Sequence, residues 1–361
     1  MTQDVPTSPL SARHWPYWAK RILIGLAFFA VGALCVAISL WSALAICFAD
    51  LPGTAPRYVR AALFLVAVVA ALILVRPRKY RWAVPPAFFL IILGWYFSLA
   101  PRNDRDWSPD VARLAHAELD GNSVTVRNVR NFTYRSESDC TPAWEDRTYD
   151  LDRLRTIDVM LVYWGSRAIA HAMVSFDFDD GQYLACSIET RKQRGESYST
   201  IQGFFRQYEL TYVFADERDV VRLRTNFRHE DVYLYRTRAT PQQARAIFLS
   251  YLDAANKLRT EPQWYNALTS NCATSLLPHA RAGGGKGEMS IDVLLSGHAA
   301  RQAYRNGVID TSMPLEQLET LSRINDVAAR TPDGDTDFSK KIRASLPQPA
   351  GWAGRDLAVH Q

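Results

Sequence analysis

The sequence predicts an α+β fold, in which three N-terminal transmembrane helices are followed by an exported domain of antiparallel sheet and helices. Two observations lead to this prediction. Uncharged apolar runs fill most of the first hundred residues, and the rest of the chain alternates apolar and polar residues in strand-like stretches between helix signals. A length of 361 residues has room for roughly two domains.

Three apolar runs predict transmembrane helices at 22–49, 58–75 and 83–100. A bilayer core takes about 20 apolar residues as a helix. The first run is too long to be a signal-peptide core, which has ~7–15 residues. Buried core helices are the alternative, but three uncharged stretches in succession, at 22–49, 61–75 and 83–100, argue against it. Pro85 and Pro86 fall at the start of the third run, where a missing N–H costs least.

The flanking charges predict the orientation. The N-terminal segment 1–21 is basic, with Arg13, Lys20 and Arg21, and four Lys or Arg residues crowd the connection at 76–81. Positive flanks stay cytoplasmic. With the N-terminus inside and three spans at 22–100, everything after residue 100 is expected outside the membrane.

The remaining chain is divided by composition. Residues 101–129 hold a polar linker and the start of the exported domain, 130–330 form its body, and 331–361 are expected to be a loosely ordered tail. Beyond residue 100, acidic and basic residues nearly balance. No clustered basic surface for nucleic acid is therefore expected.

Strands are predicted at 157–165, at 219–225, at 230–237 and in a hairpin that turns at Asp180-Gly181. In the first arm of the hairpin, alternation places His171, Met173 and Ser175 on one face and apolar residues on the other. In the second arm, Glu189 lies on the face opposite Leu184, Cys186 and Ile188.

A helix is predicted to follow Thr240, with Pro241 at its first position. A second helix is expected to start near Cys272, capped by Ser270 or Asn271. Pro278 lies about two turns into that helix, so we expect it to be short or kinked.

Cys272 is the best placed of the five cysteines to react. A helix N-terminus stabilises a thiolate, and its N–H groups can also bind an oxyanion. A nucleophilic thiol needs a base. His171 is the one histidine on a predicted strand, whereas His279 is about 10 Å from Cys272 along the helix. An ordinary strand histidine and a small buried cysteine remain the alternatives.

Cys140, Cys186 and Cys272 all fall in the exported part, where either one disulfide forms and one thiol is left over or all three thiols stay free. Whether Cys140 and Cys186 form a disulfide stays undecided, since the sequence does not give the distance between their Cα atoms. Neither HExxH nor a Cys or His pair three or four residues apart on a helix occurs, so no metal or other cofactor is expected.

The exported domain resembles the bacterial Lnb N-terminal periplasmic domain family. The stretches that carry the resemblance run from about 130 to 330, namely "YWGSRAIAHAMVSFDF", "SIETRKQRGESYS", "GFFRQYELTYVFADERDVVRLRTN", "VYLYR" and "WYNALTSNCAT". The resemblance implies a permuted papain-like fold related to NlpC-like thiol enzymes, with a helix that starts at the nucleophilic cysteine. It also implies a bacterial inner-membrane protein with a periplasmic domain. The family is named for an enzyme whose membrane helices follow the domain, whereas here apolar runs precede it.

The resemblance assigns catalysis to Cys272 and His171. Beside it, Ser175, Glu189 and Asn271 are our candidates to orient His171 or to polarise the carbonyl. It implies a thiol acyltransferase or lipid and ester hydrolase that works through a thioester, with lipoprotein N-acyl transfer as one form. The partners implied are membrane lipids or a lipoprotein substrate. A cell-wall peptidase or amidase and a non-enzymatic anchored sensor or scaffold are the alternatives. Oligomeric state stays open.

Overall fold

The computed structural model describes residues 17–49, 56–270, 272–285 and 296–347. The chain divides into two compact units, with the boundary between Leu99 and Ala100. The described part of the first unit is helical, and all the described strands lie in the second.

The first unit contains three apolar helices, α1 (Tyr17–Phe48), α2 (Arg57–Leu74) and α3 (Val84–Ser98). A 3₁₀ helix, Arg78–Ala83, leads into α3. Edge-to-face aromatic contacts join α1 to α3, since the Trp41 ring lies 5.2 Å from that of Tyr96. Of these helices, α1 and α2 are long and apolar enough to cross a membrane.

The prediction of three membrane spans was wrong in its third member. The run 83–100 yields the 15 residues of α3, which at 1.5 Å per residue reach ~22 Å, against a bilayer core of ~30 Å. The charged residues before the run fold as the 3₁₀ helix, and the backbone is already extended at Leu99. The predicted location of residues after 100 outside the membrane was based on three crossings, and α3 does not support the third.

The centre of the second unit is an eight-stranded, largely antiparallel sheet. Its strands are β1 (His116–Asp120), β2 (Ser123–Arg130), β5 (Trp144–Asp150), β6 (Leu154–Tyr163), β7 (Ala170–Phe178), β8 (Tyr183–Arg191), β9 (Glu209–Ala215) and β10 (Asp231–Arg236), and a separate pair consists of β3 (Thr133–Tyr134) and β4 (Cys140–Thr141). The order is β1-β2-β9-β8-β7-β6-β10, with β5 also paired to β2. The β2–β9 pairing is parallel. The α+β class is confirmed.

Helices cover both faces of this sheet. They are α4 (Thr200–Gly203), α5 (Glu217–Arg222), α6 (Pro241–Thr260), α7 (Cys272–Ala282), α8 (Ala299–Arg305), α9 (Leu315–Ser322), α10 (Asn325–Arg330) and α11 (Phe338–Lys341), and a π-helical turn, Leu223–Phe227, continues α5. We call the face covered by α6 and α7 the first face, where Phe176 packs on Phe248 and Tyr251. The second face is covered by α5, α10 and α11.

The predicted hairpin is confirmed, and its side chains alternate as expected. β7 and β8 pair in antiparallel register with Val174 opposite Cys186. Gly181 in the turn has φ +83°, a conformation that favours glycine. Val174 and Cys186 lie in the first-face core, whereas Met173 lies in the second-face core. The strand predictions at 157–165 and 230–237 correspond to β6 and β10.

The strand predicted at 219–225 was wrong, because these residues form α5 and the π-helical turn. Asp216 caps the helix by accepting a hydrogen bond from the Arg218 N–H, at 2.8 Å. Val220 and Val221 cover the second face of the sheet from this helix, whereas Leu223 packs with Phe132 and Tyr134. Such a spacing fits a helix at least as well as a strand.

The two predicted helices are confirmed. Thr240 caps α6 in a reciprocal capping box with Gln243, and Pro241 occupies the first turn. α7 begins at Cys272 and is short, with Pro278 inside it. Of its two predicted caps, Asn271 lies outside the described residues.

The tail was expected to be loosely ordered from residue 331, and this was wrong for 331–347. Phe338 and Ile342 are fully buried in the second-face core. Arg343 donates to Asp158 Oδ2 and to Glu217 Oε1, both at 2.6 Å, deep in the same core. Apolar residues four apart anchor this segment among its polar neighbours, and they were too few to register against the charged composition.

Candidate functional site

The imidazole of His171 lies near the start of β7, on the second face of the sheet. Its Nε2 atom is 2.7 Å from Ser187 Oγ and 3.3 Å from Glu189 Oε1. Register explains this meeting, because β7 and β8 are adjacent and Met173 pairs with Ser187. His171 is thus one step along the face from that pair, and its side chain is 14% exposed.

Ser187 and Arg224 complete what we call the His171 cluster, namely His171, Ser187, Glu189 and Arg224. Ser187 Oγ donates to Glu189 Oε1 at 2.6 Å. Arg224, in the π-helical turn, donates to the same oxygen at 2.8 Å. Arg224 is held in place by a second bond to the Val220 carbonyl, at 3.0 Å. Glu189 Oε1 therefore accepts hydrogen bonds from the serine and the arginine and also lies close to the imidazole.

The hydrogen bonds assign the protons of His171. Since the single hydrogen of Ser187 goes to Glu189, Ser187 Oγ accepts from His171 Nε2–H. In neutral His171 the hydrogen therefore sits on Nε2, and Nδ1 is the basic nitrogen of the ring. Burial alone would raise the pKa of Glu189, but His171, Arg224 and Ser187 outweigh it and hold that pKa well below its usual range.

Cys272 is the first residue of α7, as predicted, and its side chain lies outside the described part of the structure. α7 rests on β7, β8 and α6. Leu276 packs in the first-face core. The helix and the His171 cluster thus lie on opposite faces of the sheet, so a thiol–imidazole pair would form around the end of the sheet where β7 begins.

His279 anchors α7 to the first face. Its Nε2 is 2.9 Å from Tyr212 OH, its Nδ1 is 2.8 Å from Ser250 Oγ, and its ring stacks on Tyr251 with centroids 3.9 Å apart. Burial lowers the pKa of His279 to about 4. A neutral histidine with both nitrogens engaged serves the packing of the helix.

The structure separates the predicted supporting residues. Glu189 joins His171, as described. Ser175 Oγ instead donates to Glu217 Oε1 at 2.5 Å, and four positions along a strand place it ~13 Å from His171. Asn271 lies outside the described residues. Arg191, two residues after Glu189 on β8, donates to Asn103 Oδ1 and to the backbone carbonyls of Val111 and Ala112.

Two members of the cluster were missed by the sequence analysis. Ser187 lies two residues before Glu189, so the alternation predicted for this arm puts both on the same face, and that placement was the available signal. Arg224 had none, because its segment was predicted as a strand and it lies 35 positions after Glu189.

The other cysteines of the second unit are built for low reactivity. Cys140 and Cys186 are both unpaired, which answers the disulfide question. Cys186 is 1% exposed, and burial raises its pKa well above the usual range. Burial also raises the pKa of Cys140. Among the described residues, no group of three or more His, Cys, Asp or Glu side chains is arranged to hold a metal ion.

Comparison with known families agrees with the resemblance. Residues 140–297 match the model of the Lnb N-terminal periplasmic domain, and the family resemblance is thereby confirmed. The match spans the whole His171 cluster and Cys272. No curated protein and no solved structure matches the chain. Together with the two long apolar helices, the match is consistent with a membrane-anchored protein that carries a periplasmic domain.

Proposed function

We propose that the protein is a membrane-anchored, cysteine-dependent acyltransferase or lipid and ester hydrolase. The observation that carries the proposal is the His171 cluster, in which a serine and a carboxylate orient the Nε2 side of an imidazole. An oriented imidazole is what a thiol nucleophile needs as its base. The helix that begins at Cys272 belongs to the same family match.

In the proposed reaction, Nδ1 of His171 takes the proton of the Cys272 thiol. The thiolate attacks the carbonyl carbon of an acyl ester, the carbon–oxygen bond breaks, and the alcohol leaves with the proton from His171. The thioester carbon is then attacked by an amine or by water. That acceptor gives its proton to His171, the carbon–sulfur bond breaks, and the thiolate is restored.

Three features of the chain support this chemistry. The N-terminus of α7 stabilises a thiolate through its dipole, and the backbone N–H of Cys272 is the proposed donor to the oxyanion. Glu189, ionised over the whole neutral range because its pKa is held low, stabilises the imidazolium that forms during the reaction. In a permuted papain-like fold, histidine precedes cysteine along the chain, and His171 precedes Cys272 here.

The substrate proposed is an acyl ester of a membrane lipid or of a lipoprotein, with transfer to a lipoprotein N-terminal amine as the most specific form. Mass spectrometry of lipoprotein N-termini, with and without the gene, tests this directly. Loss of N-acylation in the deletion, restored by wild type but not by Cys272→Ser, is the expected result. Cys140→Ser is the matched control and should restore acylation.

An acyl group trapped on Cys272 should be released by neutral hydroxylamine. Full activity of Cys272→Ser would end the proposal. Unchanged lipoproteins together with altered cell-wall peptides would point instead to an NlpC-like peptidase or amidase.

A non-enzymatic anchored scaffold is the second candidate, and one observation favours it. α7 packs on the first face of the sheet, whereas the His171 cluster lies on the second face. In a scaffold, the His171 cluster would be a buried polar brace between β7, β8 and the π-helical turn. Substitution of His171 by Gln would then lower stability without any effect on the reactivity of Cys272.

A further inference from the structure

Large apolar side chains surround the end of the sheet where β7 begins and β8 ends. We call them the apolar rim, and each is 46–55% exposed: Trp164, Ile169, Tyr198, Ile201, Phe204 and Leu268. Single exposed apolar residues are ordinary, but a contiguous group marks a binding surface.

Three loops bring the rim together. Trp164 and Ile169 lie in the β6–β7 connection, just beyond the terminal pair Tyr163 and Ala170. The 198–204 portion follows β8 and precedes β9, whose terminal pair is Arg191 and Glu209. Since β7 and β8 are neighbours and antiparallel, both connections emerge at the same end of the sheet.

The third loop, which carries Leu268, is tied to the second. The Ala267 N–H donates to the Gly203 carbonyl at 2.7 Å, and Asn266 Nδ2 donates to the Phe204 carbonyl at 3.2 Å. A Cβ on Gly203 would lie 3.3 Å from that of Ala267, so the two loops are in close contact. The backbone that carries Phe204 and Leu268 is thus held in place by hydrogen bonds between the two loops.

The charge of these loops has one predominant sign. The connections 164–169 and 192–208 and the segment 264–270 contain Arg167, Lys192, Arg194 and Arg206, and the acidic residue among them is Glu196. Glu196 is engaged locally, by the Gln193 N–H at 2.8 Å and by Gln207. Lys192 and Arg194 are themselves paired with Asp110 and Asp106, at 3.8 and 3.3 Å, so much of this basic charge is balanced by neighbouring carboxylates.

We infer that the apolar rim docks into the headgroup region of a bilayer. Tryptophan and tyrosine are enriched at this level of a bilayer, and surfaces that bind there insert aromatic and aliphatic side chains. The same chain carries two helices long and apolar enough to cross a membrane, so a bilayer is the apolar phase within reach of the domain. The inference concerns membrane docking and does not depend on the chemistry of Cys272.

Photocrosslinking of the full-length protein in its own membrane tests the inference. p-Benzoylphenylalanine is placed at Phe204, at Leu268 or at the control position Leu119, which lies on the edge strand β1 and is 54% exposed. After irradiation, mass spectrometry identifies the adducts. The expected result is lipid adducts at Phe204 and Leu268 and a loss of that signal to background at Leu119.

Protein adducts at the rim, with a second copy or with another protein, would overturn the inference, as would equal lipid labelling at Leu119. Thermal unfolding of each labelled variant establishes that the domain is folded. The measurement is repeated in the Cys272→Ser background. If lipid adducts persist there while Cys272→Ser still supports N-acylation of lipoproteins as wild type does, membrane docking stands and the proposed enzymatic function fails.

Discussion

Ser187 Oγ stands 2.7 Å from His171 Nε2 and passes its own hydrogen to Glu189. A hydroxyl has one hydrogen, so this arrangement fixes the direction of both hydrogen bonds. The neutral imidazole is then held as the tautomer protonated at Nε2. The basic nitrogen, Nδ1, is the one that the enzymatic proposal uses.

Ser187→Ala should reduce catalysis by about 10- to 100-fold, as a part of the 10²–10⁴-fold that a positioned general base contributes. The imidazole loses its acceptor at 2.7 Å and keeps only the more distant Glu189 Oε1, at 3.3 Å, so one tautomer is held less firmly. The alkylation rate of Cys272 by iodoacetamide, measured against pH, follows this effect at the thiol itself. A shift of the midpoint of that profile is expected.

Ser250→Ala is the matched control, because Ser250 is the hydroxyl bonded to a different histidine, the buried His279. It should leave the Cys272 profile in place. Identical profiles in wild type and Ser187→Ala would show that the His171 cluster does not act on the thiol.

The pKa of His279 predicts how stability changes with pH. The folded state holds this pKa at about 4, against ~6.5 in an unfolded chain. The unfolded state therefore binds the proton first, and stability falls as pH decreases below about 6.5. Between pH 7 and pH 5 the loss from this residue is about 2 kcal/mol in the free energy of unfolding.

Replacing His279 with Phe should remove this part of the pH dependence. The variant keeps a ring to stack on Tyr251 but is less stable at pH 7, because Tyr212 and Ser250 lose a hydrogen-bond partner. Urea unfolding at several pH values measures the slope. His298→Phe, at an exposed position, should retain the wild-type slope. An unchanged slope in His279→Phe would contradict the assignment.

The parts of the fold that depend on local periodicity could be predicted from sequence. The two-residue period of a β-strand predicted the correct faces for His171 and Glu189. A capping signal predicted that a helix starts near Cys272. Contacts between distant segments could not be predicted. Arg224 reaches Glu189 from a π-helical turn, and Arg343 reaches Glu217 across 126 positions. No pattern in the neighbouring sequence indicates that these pairs of residues come into contact.

The third membrane span failed for a related reason. The length of an apolar run in the sequence does not give the length of the helix, because the helix ends where its backbone hydrogen bonding ends. The basic residues before α3 fold as a 3₁₀ helix, and the helix ends at Ser98.

Arg343 should be one of the residues on which stability depends most. It bonds to Asp158 and Glu217, whose side chains are completely buried. Arg343→Met would leave two buried carboxyl groups without this cation, at a cost of about 3–5 kcal/mol. Urea unfolding measures the change. Arg153→Met is the control, because that arginine is 54% exposed, and surface pairs contribute at most about 1 kcal/mol. Equal stability of Arg343→Met and wild type would mean that the segment 331–347 does not pack on the core in solution.

The cysteines should react with iodoacetamide in a fixed order. Cys186 is buried on the first face and its pKa is raised well above the usual range, so it should be protected until the domain unfolds. Cys140 lies in the short strand β4 with partial exposure, and burial raises its pKa as well, so it should react slowly. Under the enzymatic proposal, Cys272 is a thiolate at a helix N-terminus and reacts first. Peptide mass spectrometry after timed alkylation of the native protein gives the three rates. The Cys186 peptide, measured again in urea, controls for intrinsic reactivity. Alkylation of Cys140 ahead of Cys272 would leave the proposed nucleophile without support from its own chemistry.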